Sequence, residues 1–162
     1  MIEITLTPAI RNEARREALN LGSLPGSITG GASNIIGFIG EIIVADVMNA
    51  VRQNTAHYDM IAEDKRIDVK SKRCNTVPRL EYDCSVAAHG TKQECDEYVF
   101  VRVLNDMSKA WILGSIAKED FYSKAKHWKK GEVDEDNGFV IKADCYNLPI
   151  KELHEVCRSE NP

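Results

Sequence analysis

Residues 33 to 50 constrain the fold more than any other stretch of the chain. The run Ile35-Ile36-Gly37-Phe38-Ile39-Gly40-Glu41-Ile42-Ile43-Val44 is apolar almost all round. A surface helix keeps a polar face for water, so a helix without one must be buried. Ser33 is placed to cap it, and the pattern continues to about Ala50. Glu41 and Asp46 interrupt the run, which therefore does not read as a membrane span. Glu41 is the misfit, because an unpaired buried carboxylate is costly or takes up a proton. Two readings stay open for it. Either it reaches the surface or pairs with an arginine of the first helix, or it is an acid directed at a site.

A second misfit lies downstream. His57-Tyr58-Asp59-Met60-Ile61 and Arg66-Ile67-Asp68-Val69-Lys70-Ser71-Lys72 read as two strands of a hairpin. A turn centred on Glu63 and Asp64 sets Ala62 opposite Lys65 and carries Asp59 opposite Asp68. Carboxylates facing each other across a ladder repel. A divalent cation between them is the obvious remedy. Lys70, two residues beyond Asp68, leaves the strand on the same face.

The flanking sequence predicts a mixed α/β domain with a largely central sheet. Thr7 caps a helix over residues 8 to 21, with Pro8 at its first position and Gly22 after its last turn. Residues 22 to 32 read as a glycine-rich connection without the GxxxxGK[ST] pattern of a phosphate-cradling loop. Strands are expected at 80–86, 97–103, 109–114 and 138–142, a helix at 117–127, and a helical turn from Pro149 through Leu153. A chain of 162 residues is expected to form one domain. Its core would span about 33–116, between the N-terminal helix and C-terminal elements reaching about 155.

Charge and cysteine usage narrow the function classes. The net charge of −4 argues against a generic nucleic-acid binder. The distribution matters more: Lys65, Arg66, Lys70, Lys72, Arg73 and Arg79 cluster around the hairpin, while Glu132, Asp134, Glu135 and Asp136 gather elsewhere. A basic strip of this kind can bind phosphates on an acidic protein. The five cysteines are widely spaced and contain no CxxC pair, against both a disulfide framework and a standard zinc site. Cys84, His89 and Cys95 fit zinc spacings only loosely. Met1-Ile2-Glu3-Ile4 does not resemble a secretion signal. A cytoplasmic, reducing setting away from membranes is the expectation.

Glu41 on the helix, Asp59 on the first strand and Asp68-Val69-Lys70 on the second resemble the PD-(D/E)XK nuclease superfamily, which has the restriction-endonuclease-like fold. The likeness is strongest over residues 33 to 116. Trp111-Ile112-Leu113-Gly114 leading into Glu119-Asp120-Phe121 is similar to the sheet completion of many members, and the layout also resembles archaeal Holliday-junction resolvases. Tyr58 stands where the name-giving proline would be. The resemblance implies a Mg²⁺-dependent DNA endonuclease, with Mn²⁺ able to substitute. Asp59, Asp68 and the Val69 carbonyl would hold the ion, with Glu41 binding directly, through water or at a second ion. Lys70 would orient or deprotonate the attacking water.

Lys72 and Arg73 are candidate phosphate contacts, with a solvated strand residue as the other reading of Lys72. Asn34, two helical turns before Glu41, is a candidate DNA contact. His57 reads as structural, and Tyr98, Trp111 and Trp128 as core or surface aromatics rather than stacking platforms. A cutter of both strands would be expected to act as a homodimer. The alternative is a catalytically inactive nucleic-acid-binding or structural module on the same fold.

Overall fold

Thr7 separates the first strand from the first helix by the chemistry expected of it. Its hydroxyl accepts the Ile10 N–H at 3.3 Å, Pro8 fills the first turn, and Gly22 ends the helix with a φ of 66°. The computed structural model describes residues 1–22, 34–53 and 55–158. The Ser33 cap and the glycine-rich connection after Gly22 lie outside the described residues.

In chain order the elements begin with β1 (Ile2–Thr5), α1 (Pro8–Leu21) and α2 (Asn34–Met48). Strands β2 (Val51–Arg52), β3 (Met60–Ala62), β4 (Lys65–Cys74) and β5 (Asp83–Ala87) follow, then β6 (Glu97–Leu104) and β7 (Lys109–Ala117). The chain continues through α3 (Lys118–Lys124), β8 (Lys126–Trp128), β9 (Val133–Asp134), β10 (Phe139–Val140) and β11 (Cys145–Pro149). A six-stranded mixed sheet has the order β1-β7-β6-β4-β3-β2. Its β4–β6 pair is parallel and its other pairs are antiparallel. Beside it lie a three-stranded sheet, β5-β11-β8, and the small β9–β10 pair.

The protein is therefore mixed α/β, with the large sheet covered on both faces. On one face Ile36, Ile39, Ile43 and Val44 of α2 join Ile67, Val69, Val99, Val101 and Ile112 in one core. On the other, Tyr98, Phe100, Trp111 and Leu113 pack with Cys84, Val86 and Leu148 of the small sheet and Phe121 of α3. Double coverage explains why Tyr98 to Val103 are buried without alternation. It also explains Arg102, a charged residue inside that run. Among the described residues no helix is long and apolar enough to cross a membrane.

Several predicted boundaries move, each for a tertiary reason. The helix expected over 117–127 stops at Lys124 because Lys126–Trp128 pairs with β11. The strand expected over 138–142 is only the two-residue β10, and the strand expected from Leu80 begins at Asp83. Pro149 ends β11, with a 3-10 turn at Ile150–Glu152 after it. Strands β1, β2, β8, β9 and β11 were not expected from the sequence; each is five residues or shorter and exists through its partners. Trp111, Trp128 and Tyr98 are core aromatics, as expected.

Candidate functional site

The hairpin that carries the two aspartates turns at Glu63 and Asp64, with φ of 47° and 65°. Positive φ at both central residues is the tight turn that matches strand twist. Ala62 pairs with Lys65, Ile61 with Arg66 and Met60 with Ile67, the register the sequence suggests. There the strand stops. Asp59 bends away, its N–H donating to the Ile67 carbonyl at 2.9 Å. Its carboxylate Oδ2 then accepts the Val69 N–H at 2.7 Å, where another strand would have placed a carbonyl. An acid therefore caps the open edge of β4. The Arg66 and Cys74 carbonyls accept N–H groups of Asp96 and Asn105 on the β6 side. By the alternation of a strand the Val69 carbonyl faces away from β6, toward Asp59.

Side chains alternate across β4 as well. Ile67 and Val69 enter the core under α2, and Asp68, Lys70 and Lys72 project from the opposite face. Asp68 is 4 % exposed. Lys70 Nζ lies 2.6 Å from Asp68 Oδ2, an ion pair without hydrogen-bond alignment, so that oxygen is buried with no hydrogen bond. Gln93 joins the two residues: its Nε2 donates to Asp68 Oδ1 at 2.7 Å and its Oε1 accepts from Lys70 Nζ at 3.0 Å. Gln93 is itself held through its carbonyl by the Lys118 ammonium, which also donates to the Thr91 carbonyl at 3.0 Å. The Tyr98 ring lies 5.7 Å from Lys70 Nζ.

Glu41 arrives from the helix layer because Gly40 allows close approach. A Cβ on Gly40 would fall 1.9 Å from Ser71 Oγ and 3.3 Å from Val69 Cγ1, so α2 lies directly against β4. Glu41 Oε2 accepts from Arg52 Nη2 at 2.8 Å, and the same guanidinium holds both Glu17 oxygens at 2.7 Å. The arginine that pairs Glu41 thus comes from β2, while α1 contributes acids. Burial raises the Glu41 carboxyl, against the pull of Arg52, with Glu17 and Asp68 adding to the rise.

Asp59 is pushed up to about 7, by burial first and then by the negative charges of Asp68 and Glu41. The Val69 N–H and Lys70 pull in the opposite direction. All three acids therefore share one electrostatic neighbourhood. Among the described residues no group of three or more His, Cys, Asp or Glu is close enough to hold a metal ion by itself. Lys70 and Arg52 stand against the carboxylates instead. The oxygen donors nevertheless suit a hard divalent ion such as Mg²⁺. A buried Asp68 oxygen lacks a donor and Asp59 is destabilised by its acidic neighbours, so a cation at Asp59, Asp68 and the Val69 carbonyl would relieve both.

The remaining candidates spread out. Lys72 follows Lys70 on the same face, exposed. Arg73 points the opposite way, Nη1 lying 3.4 Å from the Asn105 carbonyl. The Asn34 amide donates to the Gly22 carbonyl at 3.1 Å, and His57 is exposed. Cys84 and Cys95 are buried free thiols. Glu41 lines a hollow with Glu17, Phe38, Arg52 and Gln53. A separate cleft, lined by Ile67, Ser115, His154 and Val156, contains none of the predicted site residues.

Gln93 and Arg52 were not legible in the sequence. Gln93 follows a 3-10 turn in a loop, and Arg52 lies in a two-residue strand, so neither carries a periodic signal. No family model matches the chain, and no curated protein matches its sequence.

Proposed function

We propose that the protein is a metal-dependent DNA endonuclease of the restriction-endonuclease-like, PD-(D/E)XK type, hydrolysing phosphodiester bonds with water. One observation carries the reading: Asp59 caps the open edge of β4 through the Val69 N–H while Asp68 and Lys70 pair on the same strand. Repelling acids and a lysine are hard to justify by stability alone, since an apolar replacement is often neutral or better. Asp59, Asp68 and the Val69 carbonyl would hold Mg²⁺, with Glu41 at its flank. When bound, the ion supplies Lewis-acid polarisation of the phosphate and of the attacking water.

The protein's own groups do the positioning. Lys70, fixed between Asp68 and Gln93, presents an ammonium beside the acids. There it orients the water and offsets charge growing on the phosphate oxygens. The water oxygen forms a new bond to phosphorus, the bond to the sugar oxygen breaks, and that oxygen takes a proton. One site cuts one strand, so a homodimer would supply the second cut.

The test is cleavage of single-stranded, duplex, flap and four-way-junction DNA with Mg²⁺ or Mn²⁺. Asp68→Ala and Lys70→Ala are each expected to abolish it, and wild-type rates in both would sink the reading. The pairing of Glu41 with Arg52 and of Asp68 with Lys70 favours a second reading, an inactive module whose acids are already neutralised. A metal titration separates the two. Thermal stabilisation by Mn²⁺ or Mg²⁺ supports the enzyme; no shift and no cleavage support the module.

A further inference from the structure

Two cations stand side by side on the large sheet. Lys72 on β4 is the register partner of Arg102 on β6, so both side chains leave the same face of adjacent strands. Strands lie about 4.8 Å apart, and like charges at that spacing destabilise a sheet. Arg102 is 8 % exposed, and its Nη2 donates to the Asp83 carbonyl. Lys72 lies at the surface beside it. Among the described residues neither forms an ion pair with Asp or Glu.

The surroundings offer little compensation. Burial and then Asp134 raise the Asp83 carboxyl, while the Lys72 and Arg102 charges and Asn147 pull it down. Cys74, Cys84 and Cys145 are free thiols. Burial raises all of them, Cys84 to about 12, and they remain neutral. Although Lys72 reaches solvent, the protein around its head and then the Arg102 charge disfavour its ammonium form. Among the described residues Asp83 attracts both cations but forms an ion pair with neither, so the pair lacks a direct counter-charge.

Its place on the sheet says what would supply that charge. Lys72 lies two residues past Lys70 on the same face, about 7 Å along the strand. Neighbouring phosphates on one nucleic-acid strand are separated by a comparable distance. We propose that Lys72 and Arg102 form a phosphate subsite, which receives the backbone phosphate next to the one cut at Asp68 and Lys70. Lys72 meets the phosphate from solvent, and the guanidinium supplies fixed donors from beneath. The assignment to a neighbouring phosphate rests on the nuclease reading; the anion site itself does not.

The experiment measures binding of a fluorescent DNA duplex across a salt series in chelator, where cleavage is absent. Lys72→Gln is the primary variant, since an exposed side chain can be exchanged without unfolding the protein. Arg102→Gln accompanies it, with folding checked by circular dichroism. Each loss is expected to weaken binding several-fold and to reduce the slope of log K against log salt by about 1. Lys109→Gln removes a lysine paired with Glu3 and should leave the slope unchanged. Wild-type affinity and slope in Lys72→Gln would overturn the subsite, as would an equal effect from Lys109→Gln. Cleavage that persists with an unchanged slope overturns the subsite alone. A reduced slope in a protein that never cuts DNA supports the subsite and removes the nuclease.

Discussion

Replacing Asp59 with asparagine should stabilise the metal-free protein, by an amount that grows with pH. The ordinary carboxyl value of 3.8 rises to about 7 in the fold, through burial first and then the charges of Asp68 and Glu41. A raised carboxyl binds more protons folded than unfolded, so its linkage makes stability fall with rising pH. The contribution is complete below the unfolded value of 3.8 and is lost as pH climbs through the folded value of about 7. The interval is roughly three pH units at about 1.4 kcal/mol each, or about 4 kcal/mol. Asparagine has nearly the same shape, and its side-chain oxygen can still accept the Val69 N–H. Urea unfolding in EDTA, run from about pH 4 to about pH 8 on both proteins, measures the difference. The curves should meet at the acid end and separate by about 4 kcal/mol at the other, with asparagine the more stable. Mg²⁺ added at the alkaline end should raise the wild type alone. A separation that stays flat across the range, or an asparagine variant weaker at high pH, would rule out this electrostatic account of Asp59.

Two further perturbations probe the supports of the site. Gly40→Ala puts a Cβ 1.9 Å from Ser71 Oγ and should cost about 1–3 kcal/mol by calorimetry, as overpacking does. Adding Ser71→Gly should return part of that loss, because Ser71 Oγ is buried without a partner and the two residues touch. Arg52→Met removes the cation from Glu17 and Glu41 and should cost about 2 kcal/mol near neutral pH. Because burial already raises the Glu41 carboxyl, that loss should shrink as acid protonates it, which urea midpoints at two pH values would measure.

The local elements were largely present in the chain itself. Thr7, Pro8 and Gly22 define α1 by hydrogen-bonding rules that act within one turn. The Ala62–Lys65 register follows from a two-residue turn and the alternation around it. Asp68 and Lys70 share a face because a strand has a period of two, and the all-round apolar run of α2 required cover on more than one side.

Which side chains meet was set by the packing of elements distant in the chain. That Asp59 leaves the ladder to accept the Val69 N–H depends on β3 stopping at Met60. That Glu41 is answered by Arg52 of β2, and not by an arginine of α1, depends on α2 reaching β4 over Gly40. Gln93 reaches Asp68 from 25 positions along the chain, and Arg102 becomes the neighbour of Lys72 only through the parallel β4–β6 register. The physical reason is common to all four. Periodicity and capping are short-range and can be read from neighbouring residues. Charge compensation depends on distance in space, which the chain order does not specify. Local pattern picked out the acids and the lysine of the candidate site; the fold chose the partners that hold them.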